Sequence, residues 1–421
     1  MKFLYQIFIH LLIFGMRIAA VFNYKIKKGL AGRRQSCEIV EKTFKKTDEI
    51  IWMHAASLGE YEQGLPVLEL LKKEFPDCKI LISFFSPSGY ENVINKENIA
   101  DAIVYLPFDK KKWIIEFTSY FKTKIFFTVK YDYWYNLLEE LKNQGAKTYV
   151  ISALFYETQV FFKPYGKWFA QELRRNINYF FHQTYHSTAL AKSIGLENSV
   201  TTGDTRFDRV KEIANRDNSV EFIEEFKDKQ KLLVFGSSWE KEEKIVEIIS
   251  NKLQEIKIII APHDLKRIPE LKKTFPNAVL YSALKKSQVL NLKSQIIIID
   301  SIGLLSKIYS YADLAFVGGG FHGAGLHNIL EAATFGIPVL FGNQYRKNPE
   351  ADNLIKNNGA KSFNNEYDAT EFILKILNKD STETLNKMGE NAKEFIYSQP
   401  NATHLIVEKI KENSTLENPV V

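Results

Sequence analysis

The sequence predicts an α/β protein of two Rossmann-like, doubly wound domains with a cleft between them, preceded by an N-terminal apolar helix. Three observations carry that prediction. Short apolar runs of strand length alternate with helical segments from residue 49 to about residue 341, the pattern of parallel sheets covered on both faces. The stretch Asp313 to Gly342, DLAFVGGGFHGAGLHNILEAATFGIPVLFG, reads as buried strand, glycine loop, helix and strand, a layout that brings a helix N-terminus to an anionic ligand. A length of 421 residues suits roughly two to three domains of about 150 residues each.

Phe3 to Phe22 (FLYQIFIHLLIFGMRIAAVF) has about the length needed to span a bilayer, although Gln6, His10 and Arg17 interrupt it. A cleaved signal peptide, a buried core helix and a membrane anchor are the alternatives. No small-residue cleavage site follows, but a basic cluster does. Lys2, Arg17, Lys25, Lys27, Lys28, Arg33 and Arg34 precede Cys37 with no acidic residue among them. Lysines and arginines beside an apolar helix attract anionic lipid. Residues 1–37 are therefore expected to be an anchor and basic juxtamembrane segment on an anionic membrane surface, with the body cytoplasmic by the positive-inside rule. The formal net charge is +6, with 45% hydrophobic and 25% charged residues, ordinary for a globular enzyme. Two cysteines, Cys37 and Cys78, form no disulfide framework and fit a reducing compartment. No Cys/His spacing matches a structural zinc site; no metal, cofactor or nucleic-acid partner is expected.

Residues 38–214 are expected to form the first domain. EIIWMH (49–54) reads as a buried strand, followed by KILISFF (79–85), AIVYLPF (102–108), KIFFTV (124–129), KTYVIS (147–152) and NYFFHQ (178–183). Gly59 lets the chain turn at the first strand's carboxyl end, and Glu60 opens a helix reaching to about Phe75. A carboxylate there can accept a proton from a hydroxyl or simply cap the helix. The helix N-terminus lowers its pKa and burial raises it, so the sign stays open. Arg206, in GDTRFDRV (203–210), can neutralise a phosphate or carboxylate, or pair with Asp204 or Asp208. His182 and His186 stand at i, i+4 without the further ligands a metal needs.

Residues 215–421 are expected to form the second domain, opened by the charged linker and helix of Asn215 to Lys231. The strand at 231–235 leads into Gly236, Ser237 and Ser238 at a helix entry, where hydroxyls and free N–H groups make an anion site. KIIIAPHDLKRI (257–268) places Pro262 and His263 after another strand, and IIIID (296–300) is followed by SIGLLSKIY (301–309). After Leu314 to Val317 come Gly318, Gly319 and Gly320, where the backbone can turn sharply and a ligand can approach; a tight turn serving helix–sheet packing is the alternative. A helix over His327 to Phe335 follows, stopped by Gly336 and leading to a strand at Ile337 to Phe341. Asn328 and Glu331 occupy its first turn and would face the ligand. NATHLIVEKI (401–410) is the candidate for a helix that crosses back to the first domain.

In order and at plausible spacing, these strings resemble the lipopolysaccharide Kdo (3-deoxy-D-manno-octulosonic acid) transferases. HAASLGE (54–60) resembles the family's HA-x-S-x-GE signature, whose glutamate is its proposed base. GGG (318–320), HNILEAA (327–333) and GIPV (336–339) resemble its C-terminal nucleotide-sugar motif. VKYDYWYNLL (129–138) aligns with a segment where acids flank a tryptophan: Trp134 and Asn136 match and Asp132 keeps an acid, whereas Lys130 stands where a glutamate is expected. GDTRFDRV resembles the family's (K/R)FD motif. Pro262 and His263 match a PRHPER-like loop without its first arginine, with Arg267 standing in for the later basic residue. Asp300 to Leu304 match a D-x-x-GEL loop except that Leu304 replaces the acid.

The resemblance implies the two-domain architecture called GT-B and an inverting transfer of Kdo from CMP-Kdo to the lipid A precursor (lipid IVA), with release of CMP, at the cytoplasmic face of the cell inner membrane. It implies catalytic roles for Glu60, Arg206 and Asp132. Ser237, Ser238, Pro262, His263, Ile302, Gly303, Leu304, Gly319, Gly320, Asn328 and Glu331 fall on the nucleotide side. No D-x-D pair occurs, so the sequence offers no support for a metal-bridged diphosphate donor, and helix N-termini and basic side chains are expected to stabilise the departing phosphate. Nucleotide-sugar epimerases or hydrolases, and transferases with another sugar donor, share the fold, which does not fix chemistry.

Overall fold

The computed structural model describes residues 1–286, 293–323, 325–346, 348–378 and 381–415. The chain divides into two compact units, Met1–Arg209 with the segment from Pro400, and Val210–Gln399.

The first unit is built on seven parallel strands: β1 (Glu49–Ala55), β2 (Lys79–Phe84), β3 (Ala102–Tyr105), β4 (Lys122–Val129), β5 (Lys147–Ala153), β6 (Tyr179–His182) and β7 (Ser199–Thr201). Their order is β3-β2-β1-β4-β5-β6-β7. Side chains of a strand alternate between faces, and here both faces are core. Ile50 and Trp52 join one buried cluster and Ile51 and Met53 another, which is why these runs are apolar at every position. The chain reverses its direction of travel across the sheet between β1 and β4, the switch point where ligands gather in such folds.

Helix α1 (Lys2–Phe22) is long and apolar enough to cross a membrane by length and composition. It lies against the unit along one face. Ile9 and Ile13 are buried beside Phe108, the Tyr5 hydroxyl donates to Asp109 Oδ2 at 2.6 Å, and Gln6 Nε2 donates to Asn136 Oδ1 at 2.8 Å. The other face exposes Phe8, Leu11, Phe14, Ile18 and Val21. Asn23 Oδ1 then accepts the Lys25 amide at 3.0 Å and starts α2 (Tyr24–Thr43). The segment expected to be juxtamembrane is thus helix, and it is packed into the unit: Arg33, Ser36 and Val40 are buried, and the Ser36 hydroxyl donates to Tyr105 O at 2.7 Å. Helix α3 (Leu58–Glu74) covers β1. The C-terminal helix Ala402–Thr415 packs on α3, with Ile406, Val407 and Ile410 in the same cluster as Leu65 and Leu68. That apolar face joins it to the first unit, the domain to which the helix at 401–410 is expected to cross back.

The second unit repeats the plan with β8 (Lys231–Ser238), β9 (Ile256–Pro262), β10 (Val279–Leu280), β11 (Ile296–Ile298), β12 (Leu314–Val317), β13 (Val339–Gly342) and β14 (Ala360–Phe363). All are parallel, in the order β10-β11-β9-β8-β12-β13-β14, which puts the switch point between β8 and β12. Two local expectations change. The helix expected over 327–335 spans only Leu330–Ala333, with Ile329 at its N-cap, and Asn328 Oδ1 accepts the Leu330 amide at 3.1 Å just ahead of it. Ser237 and Ser238 end β8 rather than entering a helix; Ser237 sits at φ 51, and the next helix, Glu240–Lys252, begins after Trp239.

Candidate active site

In the first unit the switch point collects His54, Glu60, Lys130 and Asp132. β1 ends in His54 and Ala55, and Glu60 lies in the first turn of α3, with the Ser57 hydroxyl donating to its Oε2 at 3.1 Å. Burial raises the Glu60 pKa; the Lys130 cation works against that rise and the Asp132 carboxylate adds to it. Lys130 takes a left-handed conformation, φ 65, directly after β4, where its amide donates to Ile151 O at 2.9 Å. His54 is fully buried. Its Nε2 lies 2.7 Å from Asp132 Oδ2 and its Nδ1 lies 2.9 Å from Ser83 Oγ, which also accepts from Trp52 Nε1 at 2.8 Å. Asp132 is therefore fixed by a chain of contacts running into the core. Trp134 stacks on Phe85 with centroids 5.2 Å apart, and Tyr133 packs edge-on to Phe161, so these aromatics serve packing.

Arg206 adopts the pairing that the sequence held as an alternative. Its Nε donates to Asp204 Oδ2 at 2.8 Å, a second guanidinium nitrogen lies 2.6 Å from the same oxygen, and its amide donates to Asp204 Oδ1 at 2.9 Å. Burial pushes the Asp204 carboxyl up, but Arg206 outweighs it and holds the pKa below the ordinary value. Gln63 Nε2 donates to Asp204 Oδ1 at 3.1 Å. Gln63 follows Glu60 by three residues on α3, hence on a shared face, so one helix face serves Glu60 directly and Arg206 through Asp204.

In the second unit the corresponding loops follow β8 and β12. Gly319 has φ +88, and a Cβ there would stand 2.3 Å from Gly325 O; one at Gly320 would stand 2.6 Å from Gly342 N. Close backbone packing thus accounts for both glycines. The Gly319 amide donates to Glu242 Oε1 at 3.2 Å, and the Trp239 amide donates to Glu242 Oε2 at 3.0 Å. Burial pushes the Glu242 carboxyl up to about 7. Trp239 is stacked between His322, 4.0 Å away, and His263, 4.6 Å away, and His263 lies 4.6 Å from His327. Burial, and secondarily His263, pulls His327 down to about 4, so this column of rings is neutral at its inner end. His263 follows Pro262 at the end of β9, and its amide donates to Ser238 O at 3.1 Å.

The remaining candidates are tied down to different degrees. The buried Ser238 hydroxyl donates to Glu243 Oε1 at 3.3 Å, which removes it from the anion site expected at the serines. Arg267 pairs with Glu240, Glu243 and Glu270, so its charge is matched within its own unit. Asn328 Nδ2 donates to Glu331 Oε1 at 3.1 Å, joining the two residues expected to face a nucleotide. Ile302 is exposed and Gly303 has φ +95 in the loop after β11, with Leu304 preceding a short helix, Leu305–Ile308. Among the described residues no group of three or more His, Cys, Asp or Glu side chains is arranged to hold a metal. Trp239, Glu242 and His322 were missed from sequence. Glu242 accepts the Trp239 amide, half of a capping box, and a tryptophan ahead of it carries no such signal in sequence.

Residues 30–209 match the family model described as 3-deoxy-D-manno-octulosonic-acid transferase (kdotransferase). Over 393 residues the chain is 28% identical to a bifunctional glycosyltransferase/methyltransferase of Fusobacterium nucleatum, which takes in 88% of this chain and 59% of that protein; the chain thus spans under two thirds of that relative. It is 26% identical to a 3-deoxy-D-manno-octulosonic acid transferase of Aquifex aeolicus over 84% of this chain and 93% of that one. A UDP-GlcNAc 2-epimerase from Neisseria meningitidis bound to UDP-GlcNAc superposes with TM-score 0.60 at 16% identity, covering 87% of this chain and all of the other. That likeness is one of fold, and it agrees with the GT-B class of two Rossmann-like domains.

Proposed function

We propose, from the premise that the chain is a member of the Kdo transferase family by its residues 30–209, that it moves Kdo from CMP-Kdo to the lipid A precursor (lipid IVA), inverting the anomeric carbon and releasing CMP. It acts at the cytoplasmic face of the cell inner membrane, held there by the apolar face of α1. The observation that carries the catalytic part is Glu60: a half-buried carboxyl at a sheet's switch point, its pKa raised by burial and opposed by Lys130.

In this reading Glu60 takes the proton from the acceptor hydroxyl. The freed oxygen forms a bond to the anomeric carbon of Kdo, and the bond from that carbon to the CMP phosphate breaks, its electron pair leaving with CMP. A pKa raised toward the working pH makes a carboxylate a better base. Asp132, held by the buried His54, adds a second carboxylate beside Glu60. Arg206, fixed in place by Asp204 and Gln63, neutralises charge on the departing phosphate or the Kdo carboxylate. Asn328 and Glu331 hold the nucleotide, Glu331 through ribose hydroxyls, and the loops bearing Ser237, Ser238, Pro262, His263, Ile302, Gly303, Leu304, Gly319 and Gly320 border it.

Glu60→Gln tests the assignment, since the amide keeps the shape but cannot accept the proton. Single-turnover rate should fall by about two to four orders of magnitude. Melting temperature should hold or rise, because the neutral amide removes the cost of burying a charge. Near-normal turnover, or a loss of stability with normal turnover, would identify Glu60 as a helix cap and sink the mechanism.

A further inference from the structure

The first unit contains a cavity of about 260 Å³ between α1, α2 and the helix Lys111–Thr118, lined by none of the candidate catalytic residues. Leu30 and Trp113 supply apolar wall, and Arg17, Arg33 and Arg34 bring three guanidinium groups against one carboxylate, Glu116. Arg17, Arg34 and Glu116 are exposed, so they rim it.

Arg33 is the anomaly. It is only 7% exposed, yet among the described residues no carboxylate pairs with it. Two of its nitrogens donate to the carbonyls of Gly29 and Phe85, its charge lies over the rings of Phe85, Phe108 and Tyr105 at 4.6 to 5.5 Å, and its buried Nε has no hydrogen-bond partner. Burial pulls its pKa down to about 10. A buried cation is ordinarily matched by an anion. Carbonyls and rings offset part of the cost and leave a net positive cavity.

What lies beside the cavity says which anion. Arg17 and Ile13 reach it from α1, the helix whose open face carries Phe14, Ile18 and Val21 around Arg17. An arginine among exposed apolar residues sits where lipid headgroups meet acyl chains. Because the Tyr5 and Gln6 hydrogen bonds hold α1 against the unit, that open face is presented lengthwise, as an interfacial helix presents it.

We propose that this cavity is a binding site for the phosphate of an anionic membrane phospholipid, with Arg17, Arg33 and Arg34 holding the headgroup and the open face of α1 lying along the acyl chains. The proposal rests on the membrane part of the functional reading and is independent of the sugar transferred.

The test is binding of the full chain to phosphatidylcholine vesicles with and without phosphatidic acid. Phosphatidic acid should tighten binding about tenfold or more, since each arginine near a lipid surface contributes about 1 kcal/mol. Arg17→Ala with Arg34→Ala should remove most of that preference. Lys25→Ala with Lys27→Ala, an equal charge change at exposed positions outside the cavity, should leave most of it. Arg33→Met should abolish the preference as well; if that variant fails to fold, the exposed arginine pair carries the test. Equal binding to both vesicles, or equal losses in the arginine and lysine pairs, would each overturn the site. Absence of binding to any vesicle would instead overturn the membrane reading on which it rests.

Discussion

At residue 130 a lysine stands where the resembling family has a glutamate, and its cation acts on Glu60. Lys130 lowers the Glu60 pKa against the rise that burial imposes. Glu60 must be ionised to accept a proton, so activity should climb with pH through its pKa. Lys130→Met should therefore move the acidic limb of the pH–rate profile upward, by on the order of one pH unit; a limb that stays put would separate Lys130 from the base. Glu242 offers a second titration. Its folded pKa is raised from 4.5 to about 7 by burial, so the fold favours the protonated form. That stabilisation is present in full below the ordinary value and is lost as pH rises through about 7, on the order of 3 kcal/mol at most. Melting curves across this window should slope downward in the native chain, and Glu242→Gln should flatten the slope. The sequence placed Glu60 at the first strand's carboxyl end because its motif follows an apolar run, and singled out Asp132 through the resemblance of its segment. It could not show that Arg206 is paired with Asp204 or that Glu242 occupies a glycine-loop amide, since both depend on which loops the sheet order brings together.

Element by element, the strands were legible wherever burial on both faces made every position apolar, as in Ile50 to Met53 and Ile258 to Ile260. The short strands β7, β10 and β14 carry two to four residues each, too few for a run to stand out. The helix after the glycine loop was read as too long because Asn328, taken for a first-turn residue, lies before the N-cap Ile329. Helix α1 was legible as apolar and long, but its docking was not: Tyr5 reaches Asp109, which also accepts the amides of Asn136 and Leu137 at 2.8 and 2.9 Å and so caps the helix Tyr135–Asn143. Two changes to α1 should consequently differ. Phe8→Ser, Leu11→Ser and Phe14→Ser together, all on the open face, should move the protein from membrane to soluble fractions while leaving its melting temperature near that of the parent. Removal of residues 1–22 should do the same and also lower the melting temperature, because buried Asp109 loses a donor at a cost of about 1–3 kcal/mol. Sedimentation of the triple variant with membranes at high salt would show that another surface anchors the chain.

For the whole molecule, each unit gathers candidate residues at strand carboxyl ends: His54, Glu60 and Asp132 at the switch point of β1 and β4 and the glycine loop at that of β8 and β12, with Arg206 after β7, His263 after β9 and Ile302 to Leu304 after β11. That is where a parallel sheet leaves backbone groups and loop side chains open to a ligand. The same architecture serves epimerases, so the transfer itself has to be measured. The most direct measurement is to incubate the full chain with CMP-Kdo and lipid IVA, following CMP release and the mass of the lipid together. The account predicts that the lipid gains the mass of Kdo and that CMP appears only when the lipid is present. CMP released without lipid, or donor consumed while the lipid mass stays unchanged, would contradict it.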